Sequence, residues 1–165
     1  ARRALDRAIA GDADRCLRVR LNLDMQGEFR VEWRELPEGL SSDEAQPIRL
    51  AVNPIDSSDL YLRHKTSHRE VYDQAVAEVP DGVEPILFNE RGEITESAIA
   101  NVVYRVGVDW FTPPVASGLL PGTLREELVE QAKLTPRVLR VEELKSVAEL
   151  ALVNGVRGWR KTSWV

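Results

Sequence analysis

The sequence predicts an α+β domain in which a few helices pack against one sheet-rich core. Three observations support this fold class: many short segments alternate apolar and polar residues, two or three segments repeat apolar residues with the helical period, and the connections are partly hairpins and partly crossovers. The chain has 165 residues, of which 43% are hydrophobic and 30% are charged. A chain of this length buries about 70% of its unfolded surface in one globular domain.

The N-terminal region begins with a short helical segment that is followed by a hairpin. Residues 1–11 have the pattern of a linker or of the tail of a preceding helix, with Gly11 as its end, so the main domain is predicted to span residues 12–165. Apolar residues then alternate with polar ones on both sides of a Met-Gln-Gly turn. This alternation predicts antiparallel strands near 16–24 and 28–35.

A loop, a strand and the first long helix are predicted next. Residues 36–46 are rich in turn formers and acids, which is typical of a solvated loop, and residues 47–53 predict a strand that closes at Asn-Pro. Ser67 and Glu70 have the spacing of a capping box, and Pro80 ends the helix that this box would begin. The inner face of that helix would carry Val71, Ala75 and Val79.

The second half of the chain combines short strands with a second helix. Residues 84–97 predict two strands joined by a turn, and residues 101–114 predict two more around Gly107. A helix is predicted near 123–133, and its inner face would carry Leu124, Leu128 and Ala132. The remaining predicted elements are strands at 137–141, 150–154 and 158–165 and a short helix at 142–148.

Charge and composition exclude several classes of protein. The net charge of −5 comes from interleaved charges, so the basic stripe of a nucleic-acid-binding protein is missing. The single cysteine, Cys16, cannot form an intramolecular disulfide, and no segment approaches the roughly 20 apolar residues of a membrane span. The N-terminal residues contain no apolar core followed by a cleavage site. We therefore expect a cytoplasmic protein that binds neither nucleic acid nor membranes.

Several side chains are candidates for chemistry, and each has a structural alternative. His64 and His68 lack a third ligand and a shared helical face, so no metal site is predicted. Lys65 lies just ahead of the predicted helix, where partial desolvation would favour an amine that acts as nucleophile or base; the alternative is an ordinary surface lysine. Glu96 is expected to be either a capping residue or a buried acid that needs a cationic or N–H partner; a general acid–base pair with Glu93 is a further candidate that the spacing does not demand.

The segment SGLLPGTLREELVE, residues 117–130, offers a candidate anion site. The N-terminus of a helix carries unpaired N–H donors and a partial positive charge, so Gly122, Thr123 and Leu124 would be able to hold a phosphate group. Thr123 and Glu126 also have the spacing of a capping box, in which case they satisfy those donors themselves. The residues alone leave both interpretations open.

Four linked elements resemble the signature of a known family. They are Glu96, Asn101, Thr112 with Pro113, and the run 120–125, in the family's order and with similar gaps. The signature resembles that of the class IV pyridoxal-phosphate enzymes, which include branched-chain and D-amino-acid aminotransferases and 4-amino-4-deoxychorismate lyase. The upstream segment HKTSHREVYDQA is similar to the lysine-bearing segment of lyase domains that are fused to the synthase subunit of aminobenzoate synthesis.

The resemblance implies a fold, a cofactor and a set of site residues. The fold is that of the large domain of D-amino acid aminotransferase, with a pseudo-barrel core, and the cofactor is pyridoxal 5′-phosphate. Lys65 is implied to be the catalytic residue that carries the cofactor. Glu96 would keep the pyridine nitrogen protonated, so that the ring accepts electrons. The other implied cofactor-binding residues are Gly122, Thr123, Leu124 and Asn154, and Arg157 would bind a substrate carboxylate.

Two departures from the family pattern affect these expectations. Leu124 stands where many aminotransferases of the family have a phosphate-binding threonine, so backbone N–H groups or Thr123 would have to replace that contact. The resemblance covers residues 12–165 as the family's larger C-terminal domain. The small N-terminal domain, which usually contributes a phosphate-binding arginine, has no counterpart in this sequence.

The leading functional expectation is a pyridoxal-phosphate-dependent 4-amino-4-deoxychorismate lyase, which forms 4-aminobenzoate and pyruvate in folate biosynthesis. One alternative is a branched-chain or D-amino-acid aminotransferase. Another is a non-catalytic module that holds no cofactor. By resemblance we also expect a small amino acid-type substrate, a homodimer, and fusion to or pairing with an aminodeoxychorismate synthase subunit.

Overall fold

The computed structural model describes Arg2, Leu5 and Asp6 together with residues 16–36 and 44–165. It divides the chain into two compact units, Ala1–Ser42 and Asp43–Val165. The domain boundary predicted after residue 11, most of the predicted helical tail and most of the predicted loop at 36–46 lie outside the described residues. Those expectations stay predictions. Within the part of the chain that is described, no helix has both the length and the apolar composition needed to cross a membrane.

The described part of the first unit is the predicted hairpin. Strands β1 (Leu17–Leu23) and β2 (Phe29–Glu35) pair antiparallel along their whole length. Asp24 closes the turn, because its Oδ1 accepts the N–H groups of Gln26 at 3.0 Å and Glu28 at 2.8 Å. Alternation in the sequence therefore predicted both strands to within a residue at each end.

The second unit is built on a closed barrel. Its strands are β3 (Gln46–Leu50), β4 (Glu84–Phe88), β5 (Ile94–Ser97), β6 (Asn101–Val106), β7 (Asp109–Thr112), β8 (Thr135–Pro136), β9 (Glu149–Asn154) and β10 (Gly158–Trp164). They pair in the order β5-β4-β3-β10-β9-β6-β7-β8, and a further pairing of β5 with β6 closes the ring. β3 is parallel to β4 and β10, whereas the other pairs of the ring are antiparallel. The predicted α+β class with a sheet-rich pseudo-barrel core is confirmed.

Two α-helices and three short 3₁₀-helices connect the strands within residues 44–165. The α-helices are α1 (Glu70–Ala77) and α2 (Thr123–Glu130), and the 3₁₀-helices span Leu60–Arg63, Val115–Ser117 and Val141–Ser146. The strand predicted at 137–141 is wrong, because Arg140 makes only an isolated bridge with Glu93 and the chain then enters a 3₁₀-helix.

Both predicted helices exist, but their ends differ from the prediction. The capping box of Ser67 and Glu70 is wrong: α1 begins after Arg69, without a side-chain cap. Ala132 is exposed rather than on the inner face of α2, because it adopts a left-handed φ of 54° just beyond the helix. The N–H of Lys133 then bonds to the carbonyl of Leu128 at 2.9 Å, which is a Schellman ending.

The two faces of the barrel strands carry different hydrophobic clusters. One cluster includes Val102, Leu150 and Leu152, and the opposite face presents Val103, Ala151 and Val153, which pack with Leu124 and Leu128 of α2. Tyr72 and Ala75 of α1 pack in a third cluster with Leu62 and Leu87. Because the helices cover the outer face, the first cluster fills the barrel interior. The two helices therefore stand on the outside of the barrel.

Candidate active site

An irregularity in β5 directs Glu96 to the outer face of the barrel. Ile86 of β4 pairs with Ser97 of β5, and Phe88 of β4 pairs with Ile94 of β5. Between these two pairs β5 therefore contains one more residue than β4. Such a β-bulge re-aims the side chains that follow it. Ile94 consequently packs in the barrel interior, whereas Glu96 pairs with Asn101 of β6.

The carboxylate of Glu96 is buried and accepts three hydrogen bonds. Its Oε1 accepts the hydroxyl of Tyr72 from α1 at 2.7 Å and the N–H of Leu120 at 3.0 Å, and its Oε2 accepts Nδ2 of Asn101 at 3.2 Å. The side chain retains only 4% of its exposure. Three separate elements therefore converge on one acid: α1, β6 and the segment that leads into α2.

Burial raises the pKa of Glu96 from its usual 4.5 to about 7. The hydroxyl of Tyr72, the N–H of Leu120 and the charges of Lys65 and Arg69 act in the opposite direction, because each favours the ionised form. The pKa of Tyr72 is itself raised, first by burial and then by the charge of Glu96, so its hydroxyl stays protonated and donates. A buried acid that titrates near neutrality is typical of a functional site.

Two cations approach Glu96 from the segment around the start of α1. Lys65 is exposed, lies between the 3₁₀-helix Leu60–Arg63 and α1, and interacts electrostatically with Glu96. Arg69 lies with its guanidinium carbon 4.9 Å from the centre of the Tyr72 ring and donates to the carbonyl of Ala98 at 2.9 Å. Lys65 and Glu96, which the resemblance assigns to one cofactor site, thus lie within electrostatic reach of each other.

The N-terminus of α2 has no side-chain cap. Gly122 is the N-cap residue, so of the two interpretations that the sequence left open, the capping box of Thr123 and Glu126 does not form. The carboxylate of Glu126 pairs with the guanidinium of Arg125 instead of returning to the helix start. The N–H groups in the first turn of α2 are therefore available to bind an anion, as the anion-site interpretation requires.

Asn101 connects this helix start to Glu96. Its Nδ2 donates both to Glu96 and to the carbonyl of Leu120, the latter at 2.7 Å, and its Oδ1 lies against the Cα of Gly122. A Cβ at residue 122 would collide with that oxygen. The close approach explains why the motif residue at this position is glycine.

We expect Gly122→Ala to destabilise the protein by about 1–3 kcal/mol, because the added methyl overpacks Asn101. The displaced amide would also lose its bond to Glu96. Urea denaturation monitored by circular dichroism measures the first effect. Gly155→Ala is the matched control, since its Cβ would meet Thr123 Oγ1 at 3.2 Å, a crowded contact that needs only a small shift of that side chain. Equal stabilities of the two variants would contradict this interpretation.

The turn between β9 and β10 lies beside the start of α2, as the contact of Gly155 with Thr123 indicates. The Oδ1 of Asn154 accepts the N–H groups of Val156 at 3.0 Å and Arg157 at 2.8 Å, while its Nδ2 donates to the carbonyl of Ile99 at 3.2 Å. Asn154 therefore shapes the turn, and Arg157 is exposed at its tip. The ligand-binding roles predicted for both residues stay predictions.

The remaining residues of the sequence motif support the fold. Arg125 is buried, and it donates to Thr112 Oγ1 at 3.2 Å and to the carbonyl of Pro113 at 2.8 Å. Thr112 in turn donates to the carbonyl of Val102 at 2.9 Å. These contacts fasten α2 to the end of β7. They fix the position of the helix start without contributing a group to it.

Glu93 and the histidines have other partners. Glu93 accepts bonds from Arg91 at 2.9 Å, Ser117 at 2.8 Å and Asn89 at 3.0 Å, and its pKa is lowered to about 2, first by Arg91. It thus stays ionised in its own network and does not share a proton with Glu96. His68 contacts Glu70 at 3.1 Å, and the described residues contain no cluster of three or more His, Cys, Asp or Glu suited to a metal ion.

The site geometry and a comparison with known proteins together identify the family to which this chain belongs. A buried acid with a pKa near neutrality, an amine that interacts with it electrostatically and a helix terminus without a side-chain cap are features of a catalytic site. The sequence pattern of the amino-transferase class IV family matches residues 1–163, so the chain belongs to this family.

Individual relatives agree with the family. A proposed aminodeoxychorismate lyase of Schizosaccharomyces pombe is 30% identical over 153 residues, which are 85% of this chain and 63% of that protein. The structure of a proposed amino-acid aminotransferase from Mesorhizobium loti is 34% identical, with a TM-score of 0.91 over 99% of this chain and 80% of that chain. A 4-amino-4-deoxychorismate lyase from Pseudomonas aeruginosa, 17% identical, shares the fold with a TM-score of 0.77 over 99% of this chain and 68% of that chain. The chain spans 57% and 63% of the length of two curated relatives.

Proposed function

We propose that the protein is a pyridoxal-phosphate-dependent enzyme whose cofactor is held around Glu96. The observation that carries the proposal is the buried Glu96 carboxylate, fixed by Tyr72, Leu120 and Asn101 and within electrostatic reach of Lys65. A buried carboxylate whose two oxygens are both held by hydrogen bonds suits a protonated ring nitrogen. The attraction between the two opposite charges offsets the cost of burying them. The uncapped start of α2 suits the phosphate of the same molecule.

In this proposal the chain's residues divide the binding of the cofactor among them. Glu96 pairs with the ring nitrogen, and Lys65 carries the cofactor. Gly122 leaves room at the helix start, where the N–H groups of Thr123 and Leu124 hold the phosphate. Support for this arrangement comes from the missing side-chain cap and from the turn that Asn154 builds beside Thr123.

When bound, the cofactor supplies an electron-accepting ring for the electrons released at a substrate's α-carbon. The chain's own groups handle the protons and the charges. The Lys65 amine acts as the base that takes the α-proton, and Glu96 holds the proton on the ring nitrogen. Tyr72 and Leu120 keep the carboxylate in place through their bonds to its Oε1. Arg157 binds a substrate carboxylate at the tip of the turn between β9 and β10.

The leading activity that we propose is the lyase reaction on 4-amino-4-deoxychorismate, in folate biosynthesis. The description of the S. pombe relative and the similarity of the segment around Lys65 to lyase domains support it. Transamination of an amino acid is the second candidate. The description of the M. loti structure, which is 34% identical to this chain, favours that alternative.

A product assay distinguishes the two activities. The protein is incubated with pyridoxal phosphate and 4-amino-4-deoxychorismate, and 4-aminobenzoate is followed by its fluorescence while pyruvate is measured with a coupled dehydrogenase. If the lyase proposal is correct, 4-aminobenzoate and pyruvate form in equal amounts without any added keto acid. Amine transfer that depends on a keto acid, with no aromatic product, would establish the aminotransferase instead.

A further inference from the structure

The tight turn at residues 97–100 joins the two residues that pair at the centre of the site. The N–H of Ser97 bonds to the carbonyl of Ala100 at 2.8 Å, and the hydroxyl of Ser97 accepts the N–H of Ala100 at 3.1 Å. Glu96 precedes the turn, and Asn101 follows it. The conformation of the turn therefore controls whether the amide of Asn101 meets the carboxylate of Glu96.

Three side chains from different elements hold this turn. Glu84, at the start of β4, accepts the N–H of Ile99 at 3.1 Å. Arg69 donates to the carbonyl of Ala98 at 2.9 Å, and Asn154 donates to the carbonyl of Ile99 at 3.2 Å. Arg69 and Asn154 belong to the surroundings of the site already described, whereas Glu84 is a separate buried acid.

Glu84 is costly to bury and has no role in the chemistry proposed above. It keeps 8% of its exposure, and burial raises its pKa, while the hydroxyl of Ser97, the backbone N–H groups of Ile99 and Ala98 and the charge of Arg160 oppose the rise. Its register partner on β3 is Ile48, which packs in the barrel interior. Glu84 thus reaches the turn from inside the barrel, on the side opposite to Glu96.

We propose that Glu84 is a positioning residue for the site: it anchors the turn at 97–100 so that Asn101 donates to Glu96. The inference rests on the proposed function of Glu96. Loss of Glu84 leaves the part-buried N–H of Ile99 with only its longer bond to the hydroxyl of Ser97, at 3.4 Å, and the turn moves to satisfy that group. Asn101 then withdraws from Glu96, and the ionised carboxylate loses a donor.

The test uses ¹³C NMR of the side-chain carboxyl groups in the cofactor-free protein, followed as a function of pH. Glu84→Ala is expected to raise the midpoint at which Glu96 titrates, because a lost donor disfavours the ionised form. The charged or titratable groups around Glu96, which are Tyr72, Lys65, Arg69 and Arg125, stay unchanged in the variant. Glu84→Gln keeps an acceptor for Ile99 and is expected to restore the midpoint.

Glu93→Ala is the matched control, because Glu93 is a similarly buried acid next to the other end of β5. It is expected to destabilise the protein without moving the titration of Glu96. If Glu84→Ala does not fold, Glu84→Asp retracts the carboxylate by one methylene and is expected to move the midpoint in the same direction. An unchanged midpoint in the Glu84 variants, or an equal shift in Glu93→Ala, overturns the positioning role.

Binding of pyridoxal phosphate, titrated by absorbance, gives a second measurement. We expect about tenfold weaker binding to Glu84→Ala, the equivalent of one net hydrogen bond, and near-normal binding to Glu84→Gln and Glu93→Ala. Wild-type affinity in Glu84→Ala overturns the inference. Failure of the wild-type protein to bind the cofactor overturns the proposed function instead, and the carboxyl titration still decides the role of Glu84.

Discussion

Lys65→Ala is expected to lower turnover on the order of 10³-fold, because the variant loses the amine that, in the proposed function, both carries the cofactor and takes the α-proton. It should also abolish the visible absorbance that the wild-type protein acquires with pyridoxal phosphate. Borohydride reduction followed by peptide mass spectrometry should find the cofactor attached to Lys65 in the wild type. In the variant it should find no attachment at any lysine.

Lys145→Ala is the control for this experiment, since Lys145 is also exposed but lies on the 3₁₀-helix Val141–Ser146. It should keep both activity and colour. A wild-type protein that stays colourless with added cofactor would instead support the non-catalytic module that the sequence also allowed. Labelling of Lys145 rather than Lys65 would remove Lys65 from the site.

The sequence predicted which segments form strands, and singled out Lys65 and Glu96, better than it predicted how these elements are arranged in space. The turns between short strand-like runs identified the strand pairs at 84–97 and 101–114, because each pair is local in the sequence. Lys65 and Glu96 were found as motif residues, although they are far apart in sequence. Closure of the ring also depends on long-range pairings, of β3 with β10 and of β6 with β9, which no local pattern encodes.

The contacts that tune Glu96 were beyond the reach of the sequence. Tyr72 lies on α1, and its contact with Glu96 depends on how that helix is rotated against the barrel. The N–H of Leu120 is a backbone donor and carries no side-chain signal at all. The bulge that turns Glu96 outward follows from a register shift between two strands, and register is a property of the assembled sheet.

The capping box predicted at Ser67 and Glu70 is wrong, and the one left open at Thr123 and Glu126 does not form either; the second case is informative. A hydroxyl and a carboxylate three residues apart are common, so tertiary packing decides whether the box forms. At Thr123 and Glu126 the carboxylate is drawn to Arg125, which is itself fixed by Thr112 and Pro113. The network that anchors α2 therefore also keeps its N-terminus uncapped, which favours the anion-binding interpretation over the capping one.

Glu96→Gln is expected to weaken the pH dependence of the free energy of unfolding and, as a separate effect, to lower activity. The pKa of Glu96 is about 7 in the folded chain against 4.5 for an ordinary glutamate, so the folded state holds this proton more tightly than the unfolded state. The stability that Glu96 gains from binding this proton is greatest below pH 4.5 and is lost as the pH rises to about 7. Because a tenfold change in proton affinity corresponds to about 1.4 kcal/mol, the stability lost over this range is about 3 kcal/mol.

Glutamine cannot ionise, so the free energy of unfolding of Glu96→Gln should fall less between pH 5 and pH 8 than that of the wild type, both measured in urea without cofactor. Glu84, whose pKa is also raised, is present in both proteins, and its contribution cancels in the comparison. Activity should drop on the order of 10²-fold, because glutamine does not hold a proton on the ring nitrogen. Parallel pH profiles for the two proteins would mean that Glu96 is ionised throughout this range. In that case the carboxylate would be stabilised by its donors and by Lys65 and Arg69 more strongly than burial destabilises it.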